Sequence, residues 1–328
     1  MLLRSPRCFL AVFALVLLII SLPRTAIFSS QAPDGGVPSA GTELPERFSG
    51  QTYRVKVNLV NVICSVLDKN TNSFVTSLTR DDFEIYENGQ KQEIENFSRE
   101  TDMPLTLAML VDTSTSVAPK LQFEQEAATS FFQSILRERD RAMLLKFDRG
   151  VSLVQDFTND PNKLAGEINK LTARSDGTKL YDSIYLSCDE KLIRESGRKA
   201  IIILSDGEDS SSLFNLDQAT EMALRAEAII FAISVNKGGF FGVEENTKGD
   251  DTLKELVEET GGRIFFPFKL EELDDNFEQI NQELRSQYSI GYTSTNPEKD
   301  GRYREIKIKV REEGFKLNYR KGYYAPSS

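Results

Sequence analysis

Histidine and tryptophan are absent from this 328-residue chain, and cysteine occurs only three times. Without histidine there is no Ser-His-Asp triad, no imidazole general base and no His-ligated zinc, which removes most hydrolase and metalloprotease chemistry. Three thiols complete neither a four-thiolate zinc site nor an iron–sulfur cluster. Any metal here is held by oxygen, which favours Mg²⁺, Mn²⁺ or Ca²⁺. Positive charge is in deficit as well, with 40 Lys+Arg against 50 Asp+Glu and a formal net charge of −10. Phosphate neutralisation needs a basic face, so no nucleic-acid partner is expected. The basic stretch at 302–311 alternates with apolar residues, as a strand with one solvated face does.

What is present is the composition of a folded protein, 40% hydrophobic and 27% charged, long enough for one large domain or two ordinary ones. Arg4 and Arg7 precede an apolar run at 9–22, closed by Pro23 and Arg24. About 14 apolar residues suit a secretory leader better than a membrane span, which needs about 20. Residues 1–32 therefore read as a signal peptide, or as an N-terminal anchor that would be the only membrane attachment, and the chain as exported to the cell envelope or beyond. Small residues at Ser30 and Ala32 mark a weak cleavage site followed by Pro33. Removing residues 1–32 takes three arginines and no acid, lowering the charge from −10 to −13. Cys64 and Cys188 fall among apolar neighbours in different segments and read as two separate buried thiols.

Residues 33–52 form a linker rich in Pro, Gly and Ser. From 53 to 102 the pattern is strand-like. Val55, Val57 and Leu59 alternate before the phase slips through Val60, Val62 and Cys64, predicting a bulge or a strand buried on both faces. Residues 83–86, then Asn88-Gly89, then 92–97 predict a hairpin with a primed turn. After Pro104, apolar strands at 105–111, 142–147, 199–204 and 228–235 alternate with helical patterns at 121–136, 163–171, 179–194, 216–227, 252–259 and 270–284. That grammar predicts an α/β fold, a doubly wound, mostly parallel sheet with helices on both faces, over 103–285. From 286 to 326 alternating strands return. Neither flank has strands enough for its own core, so the two are expected to pair into a small antiparallel β-sandwich with the α/β domain inserted between them.

Three positions carry chemistry. One strand ends in Asp112-Thr113-Ser114-Thr115-Ser116; a loop, Ser175-Asp176-Gly177-Thr178, opens a helix; another strand ends in Asp206-Gly207. Ligands of open α/β sheets gather outside the carboxyl ends of the strands, at the switch in strand order. Asp112, Ser114, Ser116, Thr178 and Asp206 are thus expected to converge on one divalent ion, Mg²⁺ or else Mn²⁺ or Ca²⁺. Two carboxylates leave such a site near neutral once loaded, so an incoming carboxylate is attracted. The competing reading of Ser116 is a helix N-cap, and that of Ser205-Asp206-Gly207 an ordinary strand-to-turn signal.

In these five residues and their placement, 103–285 resembles a von Willebrand factor type A domain with its metal-ion-dependent adhesion site. The flanks, with Arg320-Lys321-Gly322-Tyr323-Tyr324, resemble exported bacterial proteins related to that domain. The resemblance implies an ion held by the serines and, in some states, Thr178, with Asp112 and Asp206 acting mostly through water and a partner's Asp or Glu completing the shell. It implies a non-enzymatic adhesion or binding module. The alternative is an assembly subunit of a cell-envelope complex with permanent, metal-independent contacts. Hydrolysis is disfavoured, since nothing marks Asp176 or Glu208 as a general base. Glu208 and Asp209 read as a solvated turn rather than a second cation site. The glycine-rich stretch from Asn236 to Asp250 follows a strand end and is expected on the metal face, with Phe240 and Phe241 as partner contacts.

Overall fold

Alternating apolar strands and amphipathic helices account for the centre of the molecule in the computed structural model, which describes residues 59–99, 103–236, 247–267 and 269–327. The leading flank contains β1 (Leu59–Asp68), β2 (Phe83–Glu87), β3 (Gln90–Gln92) and β4 (Asn96–Arg99). The central part runs β5 (Leu105–Asp112), α1 (Leu121–Ile135), β6 (Arg141–Phe147), β7 (Val151–Thr158), α2 (Pro161–Ile168), α3 (Leu180–Leu186) and β8 (Arg198–Ser205). It continues through α4 (Leu216–Arg225), β9 (Ala228–Ser234), α5 (Thr247–Thr260), β10 (Ile264–Phe265) and α6 (Leu270–Arg285). The closing flank adds β11 (Gln287–Thr293), β12 (Tyr303–Val310), β13 (Phe315–Tyr319) and β14 (Gly322–Tyr324).

The central sheet has the order β10-β9-β8-β5-β6-β7 and is parallel except for the edge strand β7, which runs against β6. Every residue of β5 and β8 is buried, as strands covered on both faces must be. One face packs beneath α1, α2 and α6, with Phe131 of α1 stacked on Phe277 of α6 at 4.6 Å between ring centres. The other packs beneath α3, α4 and α5. Each large apolar side chain so buried contributes roughly 1.5–3 kcal/mol. The chain leaves β5 towards β6 on one side and returns as β8 on the other, so the switch in strand order lies between β5 and β8. Val111 pairs with Leu204 there, which sets the carboxyl ends of the two strands level.

The flanks pair as the sequence predicts. One antiparallel sheet has the order β13-β1-β11-β4 and the other β14-β12-β2-β3, so each mixes strands from before and after the α/β layers. Val60, Val62, Cys64, Val66, Ile85, Tyr288, Ile290, Ile306 and Ile308 fill the space between them. Asn88 and Gly89 have φ of 47° and 81°, the left-handed pair that a primed turn requires.

Contacts at several points join the sandwich to the α/β layers. Arg198, at the start of β8, donates to the carbonyls of Met103 and Leu284, clamping the entering and leaving chain. Glu283 of α6 accepts from Ser65 of β1 and Asn318 of β13. Gly261 has φ +86°, and a Cβ there would lie 2.3 Å from the Tyr319 backbone.

Some expectations are corrected. The helix predicted over 179–194 ends at Leu186, continues as a π turn over Ser187–Lys191 and finishes as a 3₁₀ turn over Leu192–Arg194. The helix predicted at 163–171 starts earlier, at Pro161, because Asp160 caps it by accepting from Asn162 N–H. The helix at 252–259 also starts earlier, at Thr247. β1 pairs in unbroken register with β11, so the phase slip is not a bulge; residues Cys64–Leu67 are buried on both faces. Residues 53–58 of that strand-like stretch, the leader and the linker lie outside the described residues. Both Cys64 and Cys188 are free and buried, and burial pushes the Cys188 thiol up to about 12.

Candidate metal centre

β5 and β8 deliver Asp112 and Asp206 to the carboxyl edge of the sheet, beside the switch in strand order. Asp112 is fully buried. Its Oδ1 accepts the Ser114 N–H at 2.9 Å and its Oδ2 accepts the Ser205 hydroxyl at 2.7 Å. The turn made by the first of these bonds directs the next two hydroxyls together, with Ser114 Oγ and Ser116 Oγ 2.9 Å apart. Ser116 Oγ in turn donates to Asp206 Oδ2 at 2.7 Å. α1 has Lys120 at its N-cap and no side-chain cap, so Ser116 faces Asp206 instead of capping the helix.

Four of the five expected residues therefore form one hydrogen-bonded series. Thr178 enters from a third segment, buried in the loop before α3. Ser114 bridges to Ser175 and Thr115 N–H donates to Ser175 O at 3.1 Å, which lays this loop against the Asp112 turn. Thr178 is held by its backbone: its N–H donates to Ser210 Oγ at 2.9 Å and its carbonyl accepts from Ser210 and Ser211 N–H. No hydrogen bond links its side chain to the other four. Phe240 and Phe241 lie outside the described residues. The ends of their segment do meet the site, because Asn236 Nδ2 donates both to Asp206 O at 2.7 Å and to Asp250 Oδ1 at 2.9 Å.

Several neighbours carry no signal in the motif. Ser205 orients Asp112. Gly207 has φ +78°, and a Cβ on it would lie 2.2 Å from the Gly249 carbonyl oxygen, so backbone meets backbone directly behind Asp206. Ser234 Oγ donates to Asp250 Oδ1 at 2.6 Å, fixing the start of α5 to the end of β9. Asp209, read above as part of a solvated turn, accepts from Tyr181 N–H and from Ser212. Asp176 accepts from Thr115 Oγ1 at 2.6 Å.

The electrostatics are set by burial. Removal from water raises the Asp112 carboxyl to about 6, opposed by its hydrogen bonds from Ser114 and reinforced by the charge of Asp206. Glu124, on the first turn of α1, is 2% exposed, and neither carboxylate oxygen has a hydrogen-bond partner. Burial raises it to about 8, with the Asp112 charge adding to the rise. The floor of the site is thus buried and lined by carboxyl groups that burial holds towards the protonated form, while Thr115, Ser116 and Glu208 at its rim are exposed.

Among the described residues no three Asp, Glu or Cys side chains are grouped closely enough to hold an ion by themselves. The donor set is two carboxylates with serine and threonine hydroxyls, oxygen throughout. That chemistry fits a hard divalent cation which keeps part of its water. The carboxyl of Glu124, buried without a hydrogen-bond partner, is a second polar group whose needs the described residues leave unmet here.

The sequence comparison falls on these same α/β layers: residues 107–208 match the model of the von Willebrand factor type A domain. That segment, about a third of the chain, is what is similar to the family. Solved structures similar to it include an aerotolerance-related membrane protein from Bacteroides fragilis, at 15% identity over 55% of this chain and 98% of that one, with a TM-score of 0.46. Another is the vWF domain of a type V pili tip protein from Porphyromonas gingivalis, at 14% identity over 55% and 94%, with a TM-score of 0.44. A third is proximal thread matrix protein 1 from the mussel byssus, solved with a zinc-occupied MIDAS motif, at 16% identity over 60% and 50%, with a TM-score of 0.48. Likenesses of this degree say nothing of ligand or partner. No curated protein matches the chain.

Proposed function

We propose that this chain is an exported, non-enzymatic binding module that captures an Asp or Glu side chain of a protein partner through one divalent cation. Ser114, Ser116 and Thr178 would hold the ion through hydroxyl oxygens, with Asp112 and Asp206 supplying the charge; Mg²⁺ is the first choice and Mn²⁺ or Ca²⁺ the others. The observation that supports this most is the unbroken series Asp112, Ser114, Ser116, Asp206, which draws residues 94 positions apart in the chain into one oxygen-lined turn. A bound ion would act as a Lewis acid that prefers a carboxylate to water. The protein's own part is to keep the donors in place: Ser205 orients Asp112, Asn236 and the Gly207–Gly249 contact fix the backbone of Asp206, and Ser210 and Ser211 fix that of Thr178. With two carboxylates the loaded site is near neutral, so a partner carboxylate approaches without repulsion. Exposure of Ser116 leaves that approach open.

The test is retention of immobilised Asp- and Glu-bearing peptides, with Asn- and Gln-bearing versions as controls. Retention in Mg²⁺, release by EDTA and loss in Asp112→Ala support the proposal. Retention indifferent to EDTA contradicts it and favours permanent metal-independent contacts.

A further inference from the structure

Glu124 has no place in the adhesion motif, yet its burial demands a reason. The stripe of α1 that faces the sheet reads Leu121, Glu124, Ala128, Phe131, Ile135, and Glu124 is the one charged member. A carboxylate taken from water without replacement donors is among the costliest arrangements a core can hold. Both of its oxygens are in that state. Lys120, one turn earlier, gives it no hydrogen bond, its buried ammonium being without a partner as well, but its charge keeps three acids and a divalent ion near neutral together. The charges that act on Glu124 are those of Asp112 at the end of β5, Lys120 on its own helix and Asp206 after β8. Its place is the first turn of α1, the helix that directly follows the Asp112–Ser116 turn.

Resting on the cation reading above, we infer that Glu124 is a third acid of that centre, a positioning residue that reaches the ion through bound water. Among the described residues no three acids are grouped closely enough to hold an ion by themselves, so Glu124 is assigned the outer shell. A hydrated divalent ion supplies what the carboxylate lacks, namely water hydrogens donated in a fixed direction together with compensating positive charge. Outer partners of this kind orient the inner shell and raise affinity by about 10–100-fold. Once ionised, at alkaline pH, the same group destabilises the metal-free fold, so there Glu124 exchanges stability of the free protein for affinity.

Calorimetric titration of MgCl₂ into the full chain tests this, with wild type, Glu124→Gln, Glu124→Ala and Asp112→Ala compared and the melting temperature of each measured in EDTA. Both Glu124 variants should bind Mg²⁺ at least about tenfold more weakly. Glu124→Gln, which keeps shape without charge, should melt higher than wild type in EDTA at alkaline pH, where the wild-type carboxyl is ionised. Unchanged Mg²⁺ affinity in Glu124→Gln, while Asp112→Ala binds none, overturns the role of Glu124 and leaves the cation site standing. A lower melting temperature in EDTA with unchanged affinity also overturns it, marking Glu124 as a packing residue. Wild-type binding by Asp112→Ala overturns the cation site itself, and this inference with it.

Discussion

Glu87 in the sandwich and Glu124 beneath the strand-end site are buried to nearly the same degree, 3% and 2% exposed. Their surroundings differ completely. Glu87 accepts from Tyr292 Oη and Tyr323 Oη, each at 2.9 Å, from Ser294 Oγ at 2.7 Å, and pairs with the buried guanidinium of Arg304 at 3.4 Å. Glu124 accepts nothing. The first arrangement ties β2, β11, β12 and β14 into one sandwich and completes its own electrostatics. The second leaves a carboxyl without a donor on the first turn of α1, the helix that follows the Asp112–Ser116 turn. A buried acid that is fully partnered belongs to the stability of a fold; one that is not points to something the fold was built to meet.

The comparison can be broken by mutation, and the largest effect is expected in the sandwich. Glu87→Ala leaves Arg304 buried without its carboxylate and should cost about 3–5 kcal/mol. Denaturant titration measures it, and Mg²⁺ affinity should not change. A loss below about 1 kcal/mol would remove the distinction between the two acids. The pH response should sharpen it. Asp112 is raised from 3.8 to about 6 and Glu124 from 4.5 to about 8. Folded, metal-free protein thus binds more protons than the unfolded chain between these values. Stability from the two groups is full below about pH 4 and is lost as pH rises through about 6 and 8. Melts in EDTA should show wild type matching Glu124→Gln in acid and falling below it towards pH 8, with Mg²⁺ bound more tightly at the alkaline end. Coincident profiles would show that Glu124 carries no such proton. The smallest effect concerns the partner alone. Phe240→Ala with Phe241→Ala should weaken partner capture and leave calorimetric Mg²⁺ affinity unaltered; undiminished capture would remove these residues from the interface.

Most of the architecture is legible in the chain because burial writes itself as apolar pattern. β5 and β8 appear as unbroken apolar runs, and the Asn88-Gly89 turn announces its hairpin. The flanking strands are readable as partners since neither set has a core alone. Where tertiary contact overrides local preference, the reading fails. Lys248-Gly249-Asp250 looks like loop, yet it starts α5, because Gly249 abuts Asp206 and Gly207 while Asp250 is held by Ser234 and Asn236. The π and 3₁₀ turns after α3 leave no mark, since Leu192 still falls at an apolar position. At the site, side chains that recur as a motif are visible. Those that merely hold them, Ser205, Asn236, Ser210 and Gly249, are ordinary residues until the chain is folded. Glu124 is an intermediate case: a charge on the buried stripe of α1 is a detectable break in the pattern, and it lies where local rules and function part company.

The account stands on the cation, and calorimetric titration of Mg²⁺ into the full chain beside Asp112→Ala addresses it most directly. Wild type should bind one Mg²⁺ saturably and, at about 100 times its Kd, gain about 2.7 kcal/mol of stability, while Asp112→Ala binds none and gains nothing. Absence of binding by wild type to Mg²⁺, Mn²⁺ and Ca²⁺ alike, or equal binding by Asp112→Ala, would contradict it.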